Sequence, residues 1–295
     1  TAMKYFLERD FKTKVDLISV SDLNESFTLF DFTKEVEFGK RVDKVNLGKY
    51  DLIIFLDFGS LRYYSEKENF TFKDNFILNI DHHETNQDYG NLNYVDKSKC
   101  STCSILLSLF KEWKVKFDKE LATRLLLGIY TDSLCLSLSA DSIKEADFLI
   151  DKGANYLKIV EFVQYNDPVK LYKYYSLMVD KFKVIDINGA KVGVSAISLD
   201  DLKEKNLNLA DVRLGPNYLQ HIGGLDFLFT LADMGDYIKG SFRSRKNVDT
   251  SLFARELGGG GHKLASSFSL SGVSLEDAEK EVIDVIKKVG IHKAK

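Results

Sequence analysis

The chain has 295 residues, of which 44% are hydrophobic, so it is long enough to bury the cores of two domains. Its formal net charge of −3 provides no basic field, which excludes a protein that binds long duplex nucleic acid. No apolar stretch approaches the ~20 residues that span a bilayer, and the first residues do not resemble a signal peptide. Three cysteines, an odd number, favour a reducing compartment. We therefore expect a cytoplasmic enzyme with a small anionic ligand and no membrane partner.

The first half of the chain alternates short apolar runs with helical patterns. Residues 51–57 are almost continuously hydrophobic, which is typical of a strand that is covered on both faces. The alternation of strands with helices predicts an α/β fold with a doubly wound parallel sheet. The predicted strands cover residues 14–20, 51–57 and 75–80, and the predicted helices cover 2–9, 101–113, 119–130 and 142–151.

The second half has a different rhythm. Residues 155–182 form a helical pattern with a break at Asn166-Asp167-Pro168. Strand-like pairs and tight turns follow, including the strong hairpin signal Asn188-Gly189, and a helix is predicted over about 274–289. This pattern predicts a smaller α+β domain with a mixed or antiparallel sheet. The paired runs are 183–187 with 190–197 and 225–233 with 236–245. The predicted boundaries are 1–166 for the first domain, 167–183 for a helical linker and 184–295 for the second domain.

Acidic and imidazole side chains follow the predicted strands of the first domain. Asp57 ends one buried strand, and Asp81, His82 and His83 end the next. Because ligands of open α/β sheets bind at the carboxyl ends of the strands, we expect these side chains to face one crevice. Asp132 follows the predicted helix 119–130. A mixture of carboxylates and imidazoles suits Mn²⁺ or Mg²⁺ better than a metal that prefers thiolates. An ordinary surface turn is the alternative for each motif taken alone.

The second domain contains four consecutive glycines followed by His262, after a short helical pattern over 249–257. The first glycine can end the helix in a left-handed conformation, and the others allow backbone N–H groups to approach a ligand. His262 would then lie at the mouth of a ligand-binding loop, and the alternative is a flexible turn. Residues 237–245 alternate like a strand and place Arg243 and Arg245 on one face with Lys239. Such charges are common on surface strands, but an arginine there can also clamp a phosphate or stack on a base.

Taken in order, these motifs resemble the DHH phosphoesterase family with its DHH-associated C-terminal domain. The resemblance covers nearly the whole chain and rests on Asp57, Asp81-His82-His83, Thr131-Asp132, the strand 241–244 and the segment 258–262. Each motif alone is weak, and their order and spacing make the set specific. The compact size resembles the branch of oligoribonucleases and pAp phosphatases (nanoRNases), which includes enzymes that act on cyclic di-AMP or on its linear product pApA.

The resemblance implies a site for two manganese ions, with Mg²⁺ as an alternative. Asp57 would bridge both metals, and His82 and Asp132 would each ligate one of them. The carboxylate of Asp81 would support the ligands from behind, and His83 would lie near the metals and the substrate phosphate. Two such cations, about 3.5–4 Å apart, would activate a water to a hydroxide that attacks phosphorus and would neutralise the transition state.

The resemblance also implies that the second domain binds the substrate and that a hinge lets it close. The expected substrate is a short oligonucleotide or dinucleotide, namely nanoRNA, pApA, cyclic di-AMP or pAp. The residues that the resemblance assigns to substrate binding are Arg243, Ser244, Gly259, Gly260, Gly261 and His262. The sequence leaves open which nucleotide is preferred and whether the chain forms a homodimer.

One motif of the family is missing from this chain. The family has an N-terminal His-x-x-x-Asp-x-Asp run before its first helix, whereas this chain begins at Thr1-Ala2-Met3, where that helix is already predicted. Two interpretations stay open. The chain can be part of a longer protein that carries the motif, or Met3 can be the native start of a nucleotide-binding regulator without catalysis. An exopolyphosphatase or pyrophosphatase is a further alternative, because it would share the metal site.

Overall fold

The chain folds into two compact units, Thr1–Asn166 and Asp167–Lys295. The computed structural model describes residues 1–20, 29–60, 72, 75–245 and 248–291. Each unit buries hydrophobic side chains of its own, so each has the core that an independent domain requires. The two units meet in sequence between Asn166 and Asp167, and the predicted limits of the two domains and of the linker stay predictions.

The first unit contains five helices and five short strands among its described residues. The helices are α1 (Ala2–Phe11), α2 (Thr102–Glu112), α3 (Lys119–Asp132), α4 (Ala140–Asp151) and α5 (Tyr156–Gln164). The strands are β1 (Leu17–Ile18), β2 (Val36–Glu37), β3 (Leu52–Leu56), β4 (Phe76–Asp81) and β5 (Leu92–Val95). Short 3₁₀ helices cover Asp31–Glu35, Val42–Lys44 and Leu47–Lys49.

All strand pairs of the first unit are parallel, as predicted. Strands β3, β4 and β5 form a three-stranded sheet in that order, and β1 pairs with β2. The sheet packs against α2, and Ile80 of β4 lies in the same core as Phe110 of α2 and Leu125 of α3. The α/β class is therefore confirmed. The sequence did not predict β5, whose alternating Leu92 and Tyr94 remain exposed at a sheet edge.

The second unit is a mixed sheet covered by helices. Its helices are α6 (Val169–Asp180), α7 (Leu199–Glu204), α8 (Leu209–Leu219), α9 (Ser251–Glu256) and α10 (Leu275–Val289). Its strands are β6 (Phe182–Ile187), β7 (Ala190–Ile197), β8 (Phe227–Asp233), β9 (Tyr237–Ser244), β10 (Gly260–His262) and β11 (Ala265–Ser271). The strand order is β10-β11-β9-β8-β7-β6, and only β7 and β8 run parallel. The predicted mixed sheet is confirmed.

Local turn chemistry sets the register of this sheet. Asn188 and Gly189 both have left-handed backbones, with φ of 53° and 83°, as a two-residue hairpin of β6 and β7 requires. Gly235, with φ of 94°, turns β8 into β9. Helix α6 is a core element of this unit rather than a bare connection, because Leu171, Tyr174 and Met178 are buried against α8 and β7.

Helices α7 and α8 were not predicted from the sequence. Each begins with a capping box, formed by Ser198 with Asp201 and by Asn208 with Asp211. Pro216 lies within α8. Because proline is unfavourable inside a helix, its presence in the sequence argues against a helix there. Among the residues that the structure describes, no helix is both long enough and apolar enough to cross a membrane.

Helix α3, which carries Asp132 at its end, is fixed at its start by Asp118. The Asp118 carboxylate accepts hydrogen bonds from the Leu121 backbone N–H at 2.9 Å and from the Tyr5 hydroxyl and Arg9 guanidinium of α1, both at 2.9 Å. Burial acts to raise the pKa of Asp118, but the hydrogen bonds from Leu121, Tyr5 and Arg9 outweigh it and lower that pKa.

We expect Asp118→Ala to lower the unfolding free energy by about 1–2 kcal/mol at neutral pH, because α3 loses its cap and its bond to α1. The folded pKa lies below the ordinary value of 3.8, so the carboxylate stabilises the fold above that pH and loses its effect as pH falls. Urea unfolding from pH 7 to about 3 measures the difference. Asp118→Asn, which keeps a capping oxygen, is the control. A difference between wild type and Asp118→Ala that is unchanged by acid would contradict the role of the charge.

Candidate metal centre at the end of the parallel sheet

Asp57 lies directly after β3 in a left-handed backbone conformation, with φ of 66°. Its backbone N–H still donates to the Ile80 carbonyl at 3.1 Å, so the residue continues the pairing of β3 with β4 before the chain turns. An aspartate tolerates this conformation better than most residues, and such backbones are concentrated at functional sites. The Thr102 hydroxyl, at the start of α2, donates to the Asp57 carboxylate at 2.9 Å and fixes its orientation.

Asp81, the last residue of β4, is fully buried. Its Oδ1 accepts from the His82 backbone N–H at 2.8 Å and from His83 Nδ1 at 2.6 Å, and its Oδ2 accepts from the Asn86 amide. Burial acts to raise the pKa of Asp81, but these hydrogen bonds outweigh it and lower the pKa to about 2. Asp81 is therefore a charged group that holds the two histidines in place.

His82 is buried, with only 4% of its side chain exposed. Its Nδ1 lies 3.1 Å from the carbonyl oxygen of Lys99, which can only accept, so Nδ1 carries a proton. The other ring nitrogen, Nε2, lies 3.3 Å from the Asp57 carboxylate and 3.1 Å from the Asp132 carboxylate. The Lys99 carbonyl thus selects the tautomer in which Nε2 is the nitrogen available to a ligand.

The surroundings of His82 favour a positive charge. Burial acts to lower its pKa, but the hydrogen bonds and charges of Asp132 and Asp57 outweigh burial and raise the pKa to about 10. The pKa of His83 is also raised, since Asp81 and Asp57 outweigh the effect of its burial. A proton on Nε2 of His82 therefore balances the negative charge of Asp57 and Asp132. A bound cation would balance the same charge.

The donor atoms suit a divalent cation. Asp57, Asp81, His82 and His83 each offer a ligand atom, and these atoms lie within 4.8 Å of one another. Asp132, at the end of α3, adds a second carboxylate next to Nε2 of His82. The carboxylate oxygens of Asp57 and Asp132 with the imidazole of His82 match Mg²⁺ or Mn²⁺. No thiolate of a described cysteine is among these donors. The structure thus brings together all five predicted residues of the first domain.

In the second unit, Arg243 and Lys239 are half-buried on β9. Arg243 donates from Nε to the Asn217 side chain at 2.8 Å, and Lys239 donates to the Ser267 hydroxyl at 3.2 Å. Burial lowers the pKa of Lys239 to about 8, and the charges of Arg213 and Arg243 add to this effect. Burial also lowers the pKa of Arg243 to about 10. Within the described part of the unit, no carboxylate contributes to either shift.

Two neighbouring residues are placed differently from the predicted strand face. Arg245 lies beyond the end of β9 and is exposed, so it does not share the half-buried position of Lys239 and Arg243. Ser244 is buried, and its hydroxyl accepts from the Val248 backbone N–H at 3.0 Å. A contact of Ser244 with substrate stays a prediction.

The glycine-rich segment Gly258–His262 is more regular than the predicted loop. Gly258 ends α9 with φ of 74°, as predicted, but Gly260–His262 form β10, which pairs with β11. The prediction of a loop is therefore wrong for these three residues. A Cβ on Gly259 would lie 2.1 Å from the Ser267 carbonyl oxygen, so the close approach of β11 requires a glycine here. The glycines have a structural function whether or not a ligand binds to them.

Comparisons with known proteins agree with this architecture. Residues 2–129 match the DHH family, N-terminal domain, and residues 189–289 match the DHHA1 domain. The chain therefore contains a DHH domain and a DHHA1 domain. DHH-family enzymes depend on divalent metals, which agrees with the donor set at the end of the parallel sheet. The chain is also similar, with a TM-score of 0.82 and 19% identity, to the solved structure of an exopolyphosphatase-related protein from Bacteroides fragilis, over 98% of this chain and 87% of that one.

Curated relatives of this chain include nucleotide hydrolases. It is 27% identical over 218 residues to the bifunctional oligoribonuclease and PAP phosphatase NrnA of Thermus thermophilus, which covers 73% of this chain and 65% of that protein. It is 25% identical over 228 residues to the cyclic-di-AMP phosphodiesterase GdpP of Geobacillus thermodenitrificans, which covers 75% of this chain and 33% of that protein. The chain thus spans slightly less than two thirds of the first relative and one third of the second.

Three contributors to the DHH-domain site were missed from the sequence. Thr102 orients Asp57, Asn86 holds Asp81, and the Lys99 carbonyl fixes the tautomer of His82. Ser101, the capping residue of α2, places Thr102 in the first turn, and this Ser-Thr pair was the available signal. A backbone carbonyl such as that of Lys99 has no sequence signal, because every residue has one.

Two glycine substitutions in the DHHA1 domain compare the cost of a Cβ clash with the cost of a left-handed backbone. We expect Gly259→Ala to lower the unfolding free energy by about 3 kcal/mol, because its Cβ would clash with the β11 backbone. Gly258→Ala, where a Cβ meets open space, should cost only about 1 kcal/mol for the left-handed backbone. Thermal and urea unfolding of both variants measure this. Equal destabilisation would contradict the packing role of Gly259.

Proposed function

We propose that this chain is a divalent-metal-dependent phosphoesterase that hydrolyses short nucleotides, with nanoRNA, pApA, cyclic di-AMP and pAp as the candidate substrates. The observation that carries the proposal is the position of His82 Nε2, which lies next to the carboxylates of Asp57 and Asp132 with its tautomer fixed. The similarity to an oligoribonuclease and PAP phosphatase and to a cyclic-di-AMP phosphodiesterase supports the substrate class.

The proposed metal ligands are Asp57, His82 and Asp132. Mn²⁺ is the cation we propose, since DHH-type sites combine carboxylates with imidazole, and Mg²⁺ is the alternative. When bound, the metal would activate a water nucleophile and neutralise charge on the phosphoryl oxygens. Three donors suit one cation, and the second cation that the resemblance implies would share Asp57.

His83 is the proposed proton donor to the substrate. Its Nδ1 donates to the buried Asp81 carboxylate at 2.6 Å, so a proton exchanged with substrate would pass through Nε2. Burial acts to lower the pKa of His83, but Asp81 and Asp57 outweigh it and raise that pKa, which favours the protonated ring. A protonated Nε2 would bind a phosphoryl oxygen or supply a proton to the leaving oxygen. Asp81 acts only by orienting the ring.

Arg243 and Lys239 are the proposed phosphate-binding residues of the DHHA1 domain, and Gly259–His262 of the same domain are the nucleotide-binding candidates. Half-buried cations without a carboxylate partner are costly, because burial disfavours their charge. A bound phosphate would remove this cost. Arg243 donates from Nε to the Asn217 side chain and from Nη1 to the Phe242 carbonyl oxygen. Neither of these contacts with described residues uses Nη2, which could therefore donate to a phosphate oxygen.

A hydrolysis panel with Mn²⁺ tests the proposed activity. We expect turnover of at least one of pAp, pApA, cyclic di-AMP and a short RNA, and no turnover of polyphosphate. Asp132→Ala should abolish hydrolysis and weaken Mn²⁺ binding, because the cation loses a carboxylate ligand. Asp151→Ala is the matched control, since Asp151 also ends a helix of this unit and is exposed.

Each alternative has its own outcome in this panel. Tight nucleotide binding without metal-dependent turnover would favour a regulator. Preferred turnover of polyphosphate or pyrophosphate would favour an exopolyphosphatase or pyrophosphatase. Unchanged hydrolysis by Asp132→Ala would reject the assigned metal site. The panel should use a protein that includes any coding sequence upstream of Thr1.

Lys239→Met tests the phosphate-binding assignment. We expect KM for pAp to rise about tenfold with kcat little changed, because a charged contact to phosphate contributes about 1.5–3 kcal/mol at most and acts before the chemical step. Lys191→Met, an exposed lysine on β7 of the same sheet, is the matched control. An unchanged KM with an unchanged melting temperature would exclude Lys239 from the phosphate site.

A further inference from the structure

The segment Lys99–Ser104 contacts the proposed metal ligands at two points. The Lys99 carbonyl lies 3.1 Å from Nδ1 of His82, and the Thr102 hydroxyl donates to Asp57 at 2.9 Å. Neither contact belongs to the DHH motif itself, yet each fixes the direction of a donor atom. The position of this short segment therefore determines how well His82 and Asp57 face a cation.

Glu145 of α4 contacts both ends of this segment. Its carboxylate accepts a hydrogen bond from the Ser104 hydroxyl at 2.5 Å and pairs with the Lys99 ammonium at 3.3 Å. The side chain is 11% exposed, so its interactions are shielded from water more than those of a surface pair. Ser104 in turn lies 3.0 Å from the hydroxyl of Ser101, the capping residue of α2.

We propose that Glu145 is a positioning residue for the metal centre, which acts through Lys99 on His82 and through the start of α2 on Asp57. The inference rests on the proposed metal site. Glu145 does not touch the ligands themselves, and neither its burial nor its two contacts follow from the motifs that define the site. Its carboxylate contacts Lys99 and Ser104 at the two ends of the segment. These contacts keep the Lys99 carbonyl aligned with the imidazole N–H of His82.

The expected consequence is a change in metal affinity rather than a loss of ligands. Without Glu145, the Lys99 carbonyl is free to move away from Nδ1, and the His82 ring can rotate or change tautomer. Partners that orient metal-binding histidines typically contribute 10–100-fold in metal affinity. A purely structural role of Glu145 would lower stability but leave the state of the His82 ring in the folded protein unchanged.

Metal titration of the full chain tests the inference. Glu145→Ala should weaken Co²⁺ binding, followed by its visible absorption, by about 10–100-fold. Glu145→Gln should recover part of the affinity, since its amide oxygen can still accept from Ser104. Asp141→Asn is the matched control, because Asp141 lies on the same helix, is exposed, and pairs with Lys144. Equal affinities of Glu145→Ala and wild type would overturn the inference.

Imidazole NMR of the metal-free chain separates this inference from the proposed function. The wild-type His82 ring should keep its Nδ1 proton in slow exchange, and Glu145→Ala should lose that protection while the melting curve remains cooperative. An unchanged His82 signal in Glu145→Ala would overturn the positioning role. If wild type binds no Co²⁺, the proposed metal function fails, and the NMR comparison still decides whether Glu145 positions His82.

Discussion

The buried carboxylate of Asp81 is the constraint on which the first unit depends. A charge that is fully buried at the end of a parallel strand is costly unless every oxygen is hydrogen-bonded. The bonds from His82, His83 and Asn86 meet this need, and they also fix the two histidines at the strand end. His82 is held a second time by the Lys99 carbonyl, so its Nε2 meets the carboxylates of Asp57 and Asp132 in one defined direction. The buried charge of Asp81 thus orients the histidines of the candidate metal centre.

The second unit shows the opposite balance of charge. Its sheet keeps Lys239 and Arg243 half-buried, and the surrounding described residues supply polar partners rather than carboxylates. The two units therefore carry complementary chemistry: carboxylates that favour a cation in one, and cations that favour an anion in the other. A phosphoesterase needs both, since a metal activates water whereas cationic side chains hold the substrate phosphates.

Sequence patterns predicted the elements with strong local signals. The buried runs predicted β3 and β4, the Asn-Gly turn predicted the hairpin of β6 and β7, and the order of the motifs predicted the DHH and DHHA1 domains. Elements with weaker patterns were missed, notably β5, β11, and α8 with its internal Pro216. Four consecutive glycines predicted a loop that ends a helix and opens backbone N–H groups to a ligand, whereas Gly260–His262 pair with β11 as a strand, β10.

The sequence by itself determined the DHH and DHHA1 domains, the fold class and which acidic and imidazole side chains meet at the end of the sheet, because these depend on residue type, order and strand periodicity. Only the tertiary structure decided the state of those side chains. The tautomer of His82 depends on a backbone carbonyl, and the orientation of Asp57 depends on Thr102, which is 45 residues away in sequence. The contact of Glu145 with Ser104 spans 41 residues. Such long-range contacts depend on how helices pack, which no local pattern encodes.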